Sequence, residues 1–136
     1  MPGAARLMDE AAALGWLQAV ASSAPRDNLA VILDALDGWD TFDAVVGAED
    51  VSQGKPHPEC FLLAAERLGV SPANCVVLED APVGLEAARN AGMACVGVQT
   101  SSDHLVEADW IVGSLEELSI IDLKGLITIN KEHSDD

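Results

Sequence analysis

The chain has 136 residues, 49% of them hydrophobic and 22% charged; that length predicts one domain, and that composition excludes disorder and low complexity. Seven basic residues against 23 acidic ones leave a net charge of −16, which excludes nucleic acid and anionic membrane surfaces as expected partners, because both demand a basic stripe. Residues 1–54 and 103–136 each carry nine acids and two bases, residues 55–102 five and three, so an anionic ligand is best tolerated in the middle of the chain.

Pro2–Leu14 has apolar residues at helical spacing, with Gly15 as the stop. The following run, Trp16–Ala21, is expected as a buried strand ending at Ser22-Ser23. Its Ala19-Val20-Ala21 resembles a signal-cleavage site, but Asp9, Glu10, Gly15 and Gln18 spoil the pattern and a cytoplasmic location is expected. Pro25 starts a second helix that continues through Leu36 to Gly38, and Phe42–Gly47 predicts a second strand. After the polar loop Asp50–Pro58, a helix opens at Pro58 and stops at Gly69. Cys75–Leu78 predicts a strand leading to Glu79-Asp80, Pro82 opens the next helix, and Gly92 closes it. Ala94–Val98 and Asp109–Val112 complete the strands, Ser114 and Glu117 form a capping box for a short last helix, and residues 130–136 are expected as a tail after a core domain spanning 1–129.

Strands that are apolar throughout, alternating with helices, predict an α/β domain: a doubly wound, Rossmann-like parallel sheet. Cys60, Cys75 and Cys95 are isolated and read as buried reduced thiols. His57, His104 and His133 form no cluster with them, so no zinc site is expected, and Trp16, Trp39 and Trp110 serve packing.

Ligands of open parallel sheets bind beyond the carboxyl ends of the strands. Those ends carry Ser22-Ser23 and Glu79-Asp80, with Lys55 in the loop after the second strand. Each residue has an ordinary alternative: Ser22 and Asp80 as helix caps, Lys55 as a solvated cation. Together they make a phosphate and Mg²⁺ site, with adjacent carboxylates for the metal, an ammonium for phosphate charge, and hydroxyl and helix amides for its oxygens.

The strings Ala19–Arg26, Gly54-Lys55-Pro56-His57-Pro58 and Val77–Ala88, in this order, closely resemble the haloacid dehalogenase (HAD) superfamily, in particular its phosphoglycolate phosphatase and β-phosphoglucomutase-like members. The resemblance covers residues 2–127. It implies that Ser22 binds the transferring phosphoryl group, that Lys55 neutralises its charge, and that Glu79 and Asp80 hold Mg²⁺, with Ser23 or Arg26 as secondary phosphate contacts. The implied activity is hydrolysis of a small phosphorylated metabolite through an aspartyl-phosphate, or phosphomutase chemistry of the β-phosphoglucomutase kind.

Members of the family begin with a central strand ending in Asp-x-Asp-Gly, which supplies the nucleophile, followed by a helical cap. Neither is present in this sequence. The nearest string, Val31–Gly38, has its acids Asp34 and Asp37 three apart rather than two and fits the helical pattern. The chain is therefore expected to be inactive alone. With the central strand missing, three outcomes are open: its neighbours pair directly, Leu126–Ile129 fills the slot, or the chain self-associates or takes up a complementing chain. A non-catalytic module that binds phosphate or a partner is the alternative. A receiver domain is disfavoured, since receivers place the acid pair first and the lysine last.

Overall fold

All five residues of Ala94–Val98 are buried. A strand with no exposed face lies in the middle of a sheet covered on both sides. In the computed structural model, which describes residues 3–35, 42–99 and 108–134, this strand is β4. It pairs in parallel with β3 (Val76–Glu79) and β5 (Trp110–Val112), in the order β3-β4-β5. A separate pair is formed by β1 (Ala19–Ala21) and β2 (Ala44–Val46), also parallel, with Val20 opposite Val45.

Two helical layers enclose the strands. On one face α3 (Glu59–Leu68) and α4 (Pro82–Asn90) pack Phe61, Ala64, Leu85 and Ala88 against Val46, Val77 and Cys95, so one core runs beneath both sheets. On the other, α1 (Ala4–Ala13) and α5 (Ile120–Ser134) bring Leu7, Ala11 and Leu123 onto Val96, Val98 and Val112. The alternation of Cys95 and Val96 between the two clusters is the two-residue strand period made visible. The fifth helix, α2 (Arg26–Ala35), buries Leu29 and Leu33.

The local signals act where expected. Pro82 occupies the first turn of α4, and Gly69 caps α3 in the left-handed region at φ 69°. Gly3, at φ 88°, lies so close to the backbone of Leu115 and Glu116 that a Cβ would collide with it. Beside it the Arg6 guanidinium donates to the carbonyls of Leu115 at 3.1 Å and Leu118 at 2.7 Å, clipping α1 to the turn after β5.

Three expectations are corrected. Ser114 and Glu117 do form a capping box, but around a single 3-10 turn, Leu115–Glu117. The last helix starts later, where the Ser119 amide donates to Asp122 Oδ2 at 3.0 Å and the Asp122 amide returns a bond to Ser119 Oγ. It then runs to Ser134, through residues expected in the tail, and Leu126 and Ile127 lie in it as helical residues rather than as a strand. The third concerns the gap: β1 and β3 neither pair directly nor have Leu126–Ile129 between them. Asp37, Trp39 and His104 fall outside the described residues.

Leu85 is fully buried where α4 meets the common core. Leu85→Ala is expected to cost about 2–5 kcal/mol, read as a lower urea midpoint at unchanged m-value. A loss below 1 kcal/mol would show that the core beneath the two sheets is not shared.

Candidate functional site

Lys55 sits where the two sheets come closest in chemistry. Its Nζ donates to Glu79 Oε2 at 2.8 Å and, in a longer contact, to the Ala21 carbonyl at 3.4 Å. One ammonium thus joins the carboxyl end of β1 to that of β3, with both side chains of the ion pair only 12% exposed. The Phe61 ring lies 5.0 Å below the nitrogen, a cation–π distance.

The loop carrying Lys55 is tied from several sides. The Glu59 carboxylate, at the start of α3, accepts the amides of Ser52 and Gln53 at 2.9–3.0 Å. Asn90 of α4 donates to the Pro56 carbonyl at 3.2 Å. Arg67 of α3 reaches back to the Val45 carbonyl at 2.7 Å and pairs with Asp50 at 3.4 Å. His57, half-buried, accepts the Glu59 amide on Nδ1 at 3.1 Å, which gives it a place in this anchoring rather than in solvent.

Ser22, Ser23, Ser52, Gly54, Lys55 and Cys60 line one pocket of about 260 Å³. The Ser22 amide continues the ladder to Val46 at 2.9 Å, which fixes the residue, and its Oγ accepts the Ala24 amide at 3.0 Å ahead of α2. That bond closes a turn two residues ahead of α2 rather than capping the helix, and a hydroxyl oxygen that accepts one amide retains its own proton to donate into the pocket. Arg26 is the first residue of α2.

Glu79 Oε1 accepts the amides of Asp80 at 3.1 Å and Ala81 at 3.3 Å. With Oε2 on Lys55, both carboxylate oxygens are engaged. Asp80 follows, exposed, at the same sheet edge. Among the described residues, no group of three or more His, Cys, Asp or Glu is arranged to hold a metal ion. Asp80 is the exposed carboxylate at this edge, and Glu79, expected with it at the metal, is held by Lys55 and two backbone amides. Asp34 lies within α2 and is exposed. Cys60 and Cys95 are buried and Cys75 is half-buried, all three outside any disulfide, and burial pushes all three thiols up.

Gly84 was not singled out by the sequence. A Cβ built there would fall on the Glu79 carboxylate, so the bare backbone of α4 leaves the space in which Glu79 meets Lys55.

A family model described as haloacid dehalogenase-like hydrolase matches residues 1–92. This chain belongs to that family. It is 40% identical over 131 residues, 94% of the chain, to a haloacid dehalogenase-like hydrolase domain-containing protein of Arabidopsis thaliana, covering 42% of that protein. It is 42% identical over 101 residues to validoxylamine A 7'-phosphate phosphatase of Streptomyces hygroscopicus, covering 73% of the chain and 47% of the phosphatase. The crystal structure of β-phosphoglucomutase from Clostridium difficile superposes with a TM-score of 0.84 at 31% identity, over 94% of this chain and 56% of that one. The chain thus spans about half the length of the relatives it matches.

Two outcomes follow from this geometry. Gly84→Ala is expected to destabilise the chain by about 1–3 kcal/mol through overpacking, and by markedly less in a Glu79→Ala background; equal penalties in urea unfolding would locate the clash elsewhere. Glu59 is held below the ordinary carboxylate value of 4.5, first by the Ser52 amide and then by that of Gln53. Its folded value being depressed, its stabilisation is full above pH 4.5 and is lost as the pH falls through the lower folded value. Glu59→Gln is expected to flatten that limb of the stability–pH curve; an unchanged limb would show the loop held by other groups.

Proposed function

We propose that this chain forms the phosphate-binding part of a Mg²⁺-dependent HAD-type phosphatase acting on a small phosphorylated metabolite. One observation carries the reading: the Lys55 ammonium, 2.8 Å from Glu79 at the junction of β1 and β3, lines the same pocket as Ser22 and Ser23. A polar loop over a strand edge has no packing need for a buried-side cation held this firmly, whereas a phosphoryl group needs such a charge beside a hydroxyl donor.

In this reading Lys55 neutralises phosphate charge, its position set by Glu79, while Ser22 Oγ and Ser23 donate to phosphate oxygens. Asp80 is the carboxylate that would hold Mg²⁺, with water and substrate oxygens completing the shell. The ion would supply further charge neutralisation at the phosphate. The named phosphatase among the relatives supports hydrolysis, and the β-phosphoglucomutase likeness supports a mutase reading of the same phosphate site. Phosphoryl transfer through an aspartyl-phosphate needs a carboxylate nucleophile at the site, and lysine and serine orient the group without attacking it. Asp34, inside α2, does not take that part.

The chain alone is expected to bind inorganic phosphate without hydrolysing p-nitrophenyl phosphate in the presence of Mg²⁺. Lys55→Ala is expected to weaken phosphate binding about tenfold or more, the worth of one charge-assisted hydrogen bond, as read by ³¹P NMR titration. Phosphate binding untouched by Lys55→Ala would remove the reading. Turnover abolished by Asp80→Asn would show instead that a nucleophile is present in the chain.

A further inference from the structure

We propose that Phe61 is a positioning residue of the phosphate site: its ring face supports the Lys55 ammonium without claiming any of its protons, which leaves one N–H for a phosphate oxygen. The inference rests on the phosphate reading of this pocket. An ammonium carries three donors and accepts nothing. Glu79 Oε2 takes one at 2.8 Å and the Ala21 carbonyl another at 3.4 Å. Among the described residues no third acceptor reaches Nζ, and the Phe61 ring centroid lies 5.0 Å from it.

A cation whose side chain is only 12% exposed has lost most of its hydration, and something must replace it. A second carboxylate in the place of the ring would turn the site negative and repel phosphate. A neutral acceptor, such as a glutamine carbonyl, would take the third proton. An aliphatic side chain would leave the charge against apolar surface on that side. An aromatic face avoids all three outcomes, since its quadrupole attracts a cation at up to about 6 Å and ties up no hydrogen bond.

The start of α3 delivers the ring. Phe61 stands in its first turn, two residues after Glu59, and its amide donates to the Pro58 carbonyl at 3.1 Å. The residue is 6% exposed and belongs to the core cluster of Ala64, Val77 and Leu85, so the packed layer fixes the ring. The same turn therefore holds the lysine loop twice: the Glu59 carboxylate takes the Ser52 and Gln53 amides, and the Phe61 ring takes the ammonium itself. Cys60, between them, lines the pocket with Ser22 and Lys55, which puts this turn at the wall of the phosphate site. What leucine at position 61 could supply to the core it could not supply to the cation.

Fluorine on the ring strips negative charge from its face while changing its volume little. The test places 4-fluoro-, 3,5-difluoro- and 3,4,5-trifluorophenylalanine at position 61 alone in the 136-residue chain, with Phe61→Leu as the ringless end. Affinity for inorganic phosphate, read by ³¹P NMR titration, is expected to fall at each step and about three- to tenfold over the series, as for loss of one cation–π contact. The urea midpoint is expected to fall stepwise too, and to lose that trend when the series is repeated in Lys55→Met, which keeps the stem and removes the charge. Level phosphate affinity across the series, or a stability trend that persists in Lys55→Met, would overturn the proposal and leave Phe61 a core residue. Phosphate binding that is lost in Lys55→Ala yet level across the ring series would sink this inference while the site reading stands. Absence of phosphate binding by the unsubstituted chain would remove the site reading, and the inference with it.

Discussion

One nitrogen atom links two sheets that share no ladder. Lys55 Nζ reaches the last carbonyl of β1 and the carboxylate that ends β3, and the apolar core beneath, from Val46 to Cys95, is the other tie. An ion pair this enclosed owes its stability to completeness, because removing one partner leaves a charge with neither water nor counter-ion. Completeness here extends outward: the Asp80 and Ala81 amides complete Glu79, Phe61 flanks Lys55, and the bare Gly84 backbone leaves room for the carboxylate.

The loop that delivers the lysine illustrates how a polar segment is made precise without a core of its own. Its amides are taken by Glu59, one of its carbonyls by Asn90, and its approach from β2 by Arg67 and Asp50. All of these partners except Asp50 belong to α3 and α4, the helices that pack beneath both sheets, so the site inherits the rigidity of the packed layer rather than that of the loop.

Much of this was legible in the sequence. Proline at helix starts and glycine at helix ends act locally, so Pro82 and Gly69 marked boundaries the structure keeps. The shared edge of Ser22, Lys55 and Glu79-Asp80 was legible because strand ends of a parallel sheet fall on one side. What escaped depends on distances across the fold. Nothing in the sequence around Gly84 says which carboxylate would occupy its missing Cβ. Ser119 and Asp122 were overlooked because Ser114 and Glu117, five residues earlier, carry the same capping signal. Leu126–Ile129 suits strand or helix equally by hydropathy, and only the docking of Leu123 on β4 and β5 decides for the helix.

The clip between Arg6 and the carbonyls of Leu115 and Leu118 joins residues 109 and 112 positions apart in the chain. Closing so long a loop costs entropy that no local contact repays, so α1 can dock only after the strands and the turn after β5 are in place. During synthesis α1 emerges before every other described element and waits for the turn after β5, its Arg6 clip unmade until residue 118 has been added. The earliest of the described helices thus depends on one of the latest turns, and residue changes near Leu118 would register as a loosened α1.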